Sequence, residues 1–271
     1  MLTLEEIRRH YPAGLKGSMF SQHMIKEYLQ AMILSRIVKS RHSPELVLIG
    51  GTSLRFCHGL DRFSEDLDFD FHGDDRESLR DLFDDIGKDI KKEGVNCNVE
   101  HNYLDTDNFC RIVFPGLSKI YKLDDPRKKI WIKIDIQKNR TEYKKEVHFI
   151  NRFGFYYPVR LPGKNILLSM KAVALAVRIK ARDMYDFSFL CTGTGLDFEY
   201  VQRELNLRGI KVDSPDMLKE IILKNEGDTD IREKEHEISL FLIEKDNRAR
   251  VSSFYSYIRS LDFGKLGGIS G

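Results

Sequence analysis

Between Leu48 and Phe71 the chain reads LIGGTSLRFCHGLDRFSEDLDFDF, and the last few of these residues constrain the fold most tightly. Asp66, Asp68 and Asp70 alternate with Leu67, Phe69 and Phe71, a period of two that a strand turns into one acidic and one apolar face. Three carboxylates on one strand face repel each other, and Asp is a poor strand former. Solvent or a divalent cation must offset that repulsion, so the strand is either a charged exposed edge or one wall of a cation site.

The residues just before this strand favour the second reading. PELVLIGG predicts a short apolar strand stopped by Gly50 and Gly51, and TSLRFCHGL predicts a short helix opening at Thr52 or Ser53, both good N-cap types. A glycine turn opening a helix presents bare backbone N–H groups, which is a natural seat for phosphate. Mg2+ takes a few carboxylates together with phosphates, so Asp66 and Asp68 beside such a turn describe a nucleoside triphosphate site. In-line phosphoryl chemistry calls for a further carboxylate, and Asp135 in IWIKIDIQ is a candidate. Ile130, Ile132, Ile134 and Ile136 would share one face of that strand, and Trp131, Lys133 and Asp135 the other. An ion pair with Lys133 or Lys138 at a solvated edge accounts for Asp135 equally well.

Along the rest of the chain, SMFSQHMIKEYLQAMILSRIVKS has the spacing of a long amphipathic helix, and DDRESLRDLFDDIGKDIKKEG that of a helix acidic at its start and basic at its end. Strands are expected in VNCNVEHNYL, FCRIVFPGL and KKIWIKIDIQKN, which makes the first part mixed α/β (α+β). Beyond FGFYYPVRLPGKN nearly everything reads as helix, so a boundary falls near 158–163, dividing the chain into 1–160 and 161–271. The tail GKLGGISG is expected to be flexible.

A net charge of +2 over 271 residues is too small to argue for nucleic acid or membrane by itself. Its distribution says more. Thirteen acids face six bases from Asp61 to Glu93, and eleven bases face five acids from Lys119 to Arg152. That is the balance of a site with cations on one wall and phosphates on another, or of two solvated faces. The basic residues from Arg127 to Lys145 could follow an RNA backbone or form a solvated hairpin. The four scattered cysteines form no C-x-x-C pair and are expected to be buried or free thiols. No run approaches the roughly 20 apolar residues of a membrane span, so a cytoplasmic protein is expected.

The combination G-G-T, thirteen intervening residues, then D-x-D resembles the signature of the DNA polymerase β-like nucleotidyltransferase superfamily. The longer string resembles the AbiEii/AbiGii abortive-infection toxins within it, through Gly50, Gly51, Thr52 and Leu54, then Arg62, Ser64, Asp66, Leu67 and Asp68. Lys171 in LLSMKAVAL and the RDMYDF segment (Arg182, Asp183, Tyr185, Asp186) match later family features in order. The matches run from about Val47 to Leu190; the last eighty or so residues carry no motif.

The resemblance implies a nucleotidyltransferase core with a mixed sheet flanked by helices, a mostly helical C-terminal domain, and an active site between them. Asp66, Asp68 and Asp135 would hold Mg2+ (or Mn2+) and catalyse. Gly50, Gly51, Thr52 and Ser53 would form the phosphate turn, with Arg62 and Ser64 in the same motif. Lys171 would contact the triphosphate, and Asp183 or Asp186 would anchor the nucleotide from the second lobe. Asp70, outside the matched pair, would face solvent or back up the metal ligands. The implied activity is transfer of a nucleoside monophosphate from an NTP, GTP or CTP among them, to RNA such as tRNA or to protein, by a toxin encoded beside an antitoxin.

Plainer roles compete for several of these side chains. Arg62 could pair with Asp61 or Glu65, Lys171 could be an exposed helical lysine, and Asp183 and Asp186 could pair with Lys180 or Arg182 or cap a helix. His58 and His72 flank the motif as ordinary histidines, and the aromatics of RFGFYYPVRL suit packing better than base stacking. Two other function classes share the motif chemistry: a small-molecule nucleotidyltransferase, and a non-catalytic nucleotide-binding protein of the same fold.

Overall fold

The computed structural model describes residues 1–15, 18–73, 77–103, 108–138 and 141–268. It divides into two compact units. The first comprises Met1–Gly59, Phe63–Asn139 and Glu146–Leu161; the second comprises Leu60–Arg62, Arg140–Lys145 and Pro162–Gly271. Two short stretches from within the first 160 residues thus belong to the second unit.

In chain order the first unit holds α1 (Leu4–Arg8), α2 (Ser18–Ile37), β1 (Leu46–Ile49), α3 (Gly50–Cys57), β2 (Leu67–Phe71), α4 (Glu77–Lys92), β3 (Asn98–Tyr103), β4 (Asn108–Phe114), α5 (Leu117–Ile120), β5 (Ile130–Lys138), β6 (Lys145–Arg152) and β7 (Phe155–Pro162). Five strands form one sheet in the order β1–β2–β5–β4–β3. β2 and β5 run parallel, and the other neighbours are antiparallel. The alternation expected in β5 is present: its four isoleucines are buried, while Trp131, Lys133 and Asp135 are half-buried on the other face.

β6 and β7 form a separate two-stranded sheet that the sequence analysis did not anticipate. Phe153 and Gly154, both at positive φ (53° and 80°), turn the chain between them. Hairpin turns of this hand normally advertise themselves with Asn-Gly or Asp-Gly. Here a phenylalanine takes the left-handed position, and its ring lies buried against Tyr28 and His10. Tertiary packing therefore supplies what turn chemistry ordinarily does. Tyr157 in β7 donates to the Ala31 carbonyl of α2 at 2.9 Å. Buried Glu27 in α2 pairs with Arg55 in α3 at 3.2 Å and with Arg152 in β6 at 2.5 Å.

The second unit contains α6 (Lys164–Val177), α7 (Ala181–Leu190), α8 (Phe198–Asn206), α9 (Pro215–Lys224), α10 (Ile231–Ser239), a short 3-10 turn at Lys245–Arg248, α11 (Ala249–Ser252), α12 (Phe254–Ser260) and α13 (Phe263–Gly267). Phe187, Phe254 and Phe263 meet in its core. Of the tail expected to be flexible, residues 264–267 instead lie in α13 with Leu266 buried; residues 269–271 lie outside the described residues, as do Asp74 and Asp75 at the expected acidic start of α4. Among the described residues no helix is long and apolar enough to cross a membrane, and all four cysteines are free.

Candidate active site

The glycine turn is built around one carboxylate. α3 begins at Gly50 itself, two residues earlier than the sequence suggests, with φ at +71°. A Cβ there would collide with Oδ2 of Asp68 and lie 3.0 Å from its Cγ. Only glycine satisfies both the backbone angle and the space. The N-cap residue Ile49 provides no side-chain cap, so the first N–H groups of α3 keep the polarity that favours an anion.

The hydroxyls of Thr52 and Ser53 are buried and engaged within the turn. Thr52 Oγ1 donates to the Asp66 carbonyl at 2.5 Å, and Ser53 Oγ to the Gly50 carbonyl at 2.8 Å. Gln30 of α2 donates to the carbonyls of Ser64 and Asp66 at 3.2 and 3.3 Å, and Lys26 pairs with Glu65 at 2.8 Å. The segment 64–66, with Ser64 buried, is thus clamped between α2 and α3 before it enters β2. Sequence reasoning missed Gln30 and Lys26; the signal was polar residues recurring within an otherwise apolar helix.

Asp68 is the Cα partner of Asp135 across the parallel β2–β5 pair. Two carboxylate-bearing residues from segments 67 positions apart therefore stand side by side at the mouth of the glycine turn. Asp135 pairs with Lys133 at 2.7 Å, each about one-third exposed, on a strand that lies between β2 and β4 and not at the solvated edge the ion-pair alternative supposed. Asp70 departs from the expectation that it faces solvent. It is 2% exposed and accepts from Gln137 Nε2 at 2.6 Å, so the third acid of the alternation belongs to the interior of the sheet.

Among the described residues no three of His, Cys, Asp and Glu are gathered as a ready-made metal cage. Mg2+ seldom uses one: one or two carboxylates plus substrate phosphates complete its octahedron. A donor set of hard aspartate oxygens beside an anion-favouring helix start fits that ion.

The second unit carries its own buried charge cluster. Arg62 binds Asp186 through two bonds, Nε to Oδ1 and Nη2 to Oδ2, each 2.7 Å. Lys171 of α6 reaches Asp183 at 2.8 Å and Asp186 at 2.7 Å in α7. Asp186 is thus the carboxylate that Arg62 grips, and Lys171, an exposed helical lysine in the plainer reading, is instead largely buried and paired with both aspartates. Burial alone would push the Lys171 pKa down, but Asp183 and Asp186 outweigh it and hold the ammonium above its ordinary range. Burial likewise works against the Asp183 charge, yet Lys171 keeps that carboxyl below its usual value. Asp61 is turned toward the Tyr185 hydroxyl at 2.6 Å and toward Asn247.

The sequence model of the AbiEii nucleotidyl transferase toxin, of type IV toxin–antitoxin systems, matches residues 32–260. The chain belongs to the AbiEii nucleotidyltransferase toxin family. Its mixed α/β fold is similar to that of MenT4, a nucleotidyltransferase toxin from Mycobacterium tuberculosis H37Rv, with a TM-score of 0.60, 18% identity, and coverage of 97% of this chain and 91% of that one. It is also similar to an H. pylori protein described as a nucleotidyltransferase, with a TM-score of 0.56, 20% identity, and coverage of 92% and 98%. No curated protein matches the chain. As an AbiEii-family protein it is a nucleotidyltransferase, of a family that generally uses a divalent metal and an NTP and that works opposite an antitoxin.

Proposed function

We propose that this AbiEii-family chain transfers a nucleoside monophosphate from an NTP to an RNA acceptor in the cytoplasm, in a Mg2+-dependent reaction that a cognate antitoxin neutralises. The observation that carries the reading is the pairing of Asp68 with Asp135 across β2 and β5, with the Asp68 carboxylate seated against Gly50. Asp66, Asp68 and Asp135 would hold Mg2+, or Mn2+ in its place, and the bound ion supplies charge stabilisation for the attacking and leaving oxygens. The N–H groups opening α3, from Gly50, Gly51, Thr52 and Ser53, orient the triphosphate. The clamped hydroxyls of Thr52 and Ser53 hold the turn in shape rather than reach the ligand. Asp135 orients the acceptor hydroxyl for in-line attack, and pyrophosphate leaves. Positioning and electrostatics provide most of the rate in such chemistry. In the second unit, Asp183 and Asp186 keep Lys171 charged, and Arg62 braces Asp186.

The test is incubation of the purified chain with Mg2+, each NTP labelled at the α-phosphorus in turn, and total cellular RNA or total protein, resolved on denaturing gels. The expected result is label on a discrete RNA band, lost in Asp68→Asn. Label on protein instead would move the acceptor to a polypeptide. No label with clear NTP binding would overturn the reading in favour of a small-molecule acceptor or a binding protein.

A further inference from the structure

We infer that Trp131, Arg111 and Lys133 form an acceptor subsite that takes a nucleotide of the RNA next to the one that reacts; this rests on the proposed transfer to RNA. Trp131, Lys133 and Asp135 alternate along the half-buried face of β5, and Arg111 on β4 is the Cα partner of Lys133. The Arg111 guanidinium carbon lies 4.6 Å from the centre of the Trp131 ring, and Lys26 Nζ from α2 lies 4.9 Å from it. An indole stacked with the Arg111 guanidinium thus lies on the same strand face as the proposed third carboxylate, while Lys26 is buried and held by Glu65. Strand rise puts the Cα atoms of Trp131 and Asp135 about 13 Å apart, the reach of a nucleotide or two from the reacting hydroxyl.

Sheet order decides which substrate this face receives. The glycine turn follows β1, on one side of β2, whereas β5 and β4 lie on the other. An NTP whose phosphates occupy the turn leaves the β5–β4 side to the acceptor. The chemistry of that side matches a single-stranded polynucleotide: cations for backbone phosphates and an aromatic ring for a base. Glu100 approaches Arg111 at 3.8 Å but is more than half exposed, and such a surface pair holds the guanidinium weakly against a phosphate.

Trp131 is the only tryptophan in the chain, so its emission reports on this subsite alone. A short single-stranded RNA oligonucleotide is titrated into the full chain while tryptophan emission is read, with anisotropy of the same RNA, dye-labelled, in parallel. The expected result is saturable quenching over the concentrations at which anisotropy rises. Arg111→Ala and Trp131→Ala should each weaken RNA binding roughly tenfold, with NTP affinity at the wild-type level. RNA binding with unchanged emission, wild-type affinity in both variants, or no RNA binding at all overturns the subsite. Emission that responds to NTP alone also overturns it, by assigning the indole to the NTP. Label transfer is followed separately: transfer with a silent Trp131 removes only the subsite, whereas quenching without transfer removes only the transfer reading.

Discussion

At the scale of single residues, Gly50 and Asp68 act as a unit. Asp68 is half-buried at the edge of the turn, so Asp68→Asn should leave the unfolding transition nearly unchanged while lowering transfer by at least about 10²-fold, as loss of a principal charge-stabilising group does. Gly50→Ala should instead lower both, costing about 1–2 kcal/mol of stability because an L-residue is forced to positive φ and its methyl displaces the carboxylate. Melting and transfer assays on the two variants separate these outcomes. Asp186 is fully buried between Arg62 and Lys171, so Asp186→Ala leaves two cations without their shared carboxylate and should destabilise by about 3–5 kcal/mol in denaturant titration. The acidic residues of the first unit were legible because alternation and the glycine pair are local signals. The partner of Arg62 was not, since Asp186 lies 124 residues away and nothing near Arg62 in sequence distinguishes it from Asp61 or Glu65.

At the scale of elements, the five-stranded sheet was legible strand by strand, because four buried isoleucines in β5 or a four-residue apolar run in β1 can hardly be anything else. Its register was not, although register is what sets Asp68 beside Asp135. The β6–β7 pair escaped notice because Phe153 stands where Asn would have announced the turn. Two effects oppose each other there. Asn would relieve the left-handed backbone by about 1 kcal/mol, whereas removing the buried ring costs about 3–5 kcal/mol. Phe153→Asn should therefore be destabilising by about 2–4 kcal/mol in a denaturant titration. A stabilised variant would mean that turn strain, not packing, dominates.

At the scale of the whole molecule, opposite charge is buried as ion pairs around Asp183 and Asp186 in the second unit and around Glu27 in the first. The pH dependence of stability follows from the former. Asp183 is held below its ordinary range, so its contribution is present above the unfolded carboxylate value and is lost as pH falls through the folded one. Lys171 is held above its ordinary range, so its contribution is present below the unfolded lysine value and is lost as pH rises through the folded one. Melting temperatures should therefore be highest between those limits and fall at both the acid and the alkaline end, and Lys171→Met should flatten the alkaline fall. The central claim concerns chemistry, and one comparison reaches it most directly: parallel reactions of the purified chain with Mg2+, cellular RNA and the same NTP labelled at either the α- or the γ-phosphorus. Nucleotidyl transfer by Asp66, Asp68 and Asp135 predicts that α-label enters RNA, that γ-label leaves as pyrophosphate, and that Asp68→Asn does neither. Incorporation of the γ-label, or α-label transfer that survives in Asp68→Asn, would contradict it.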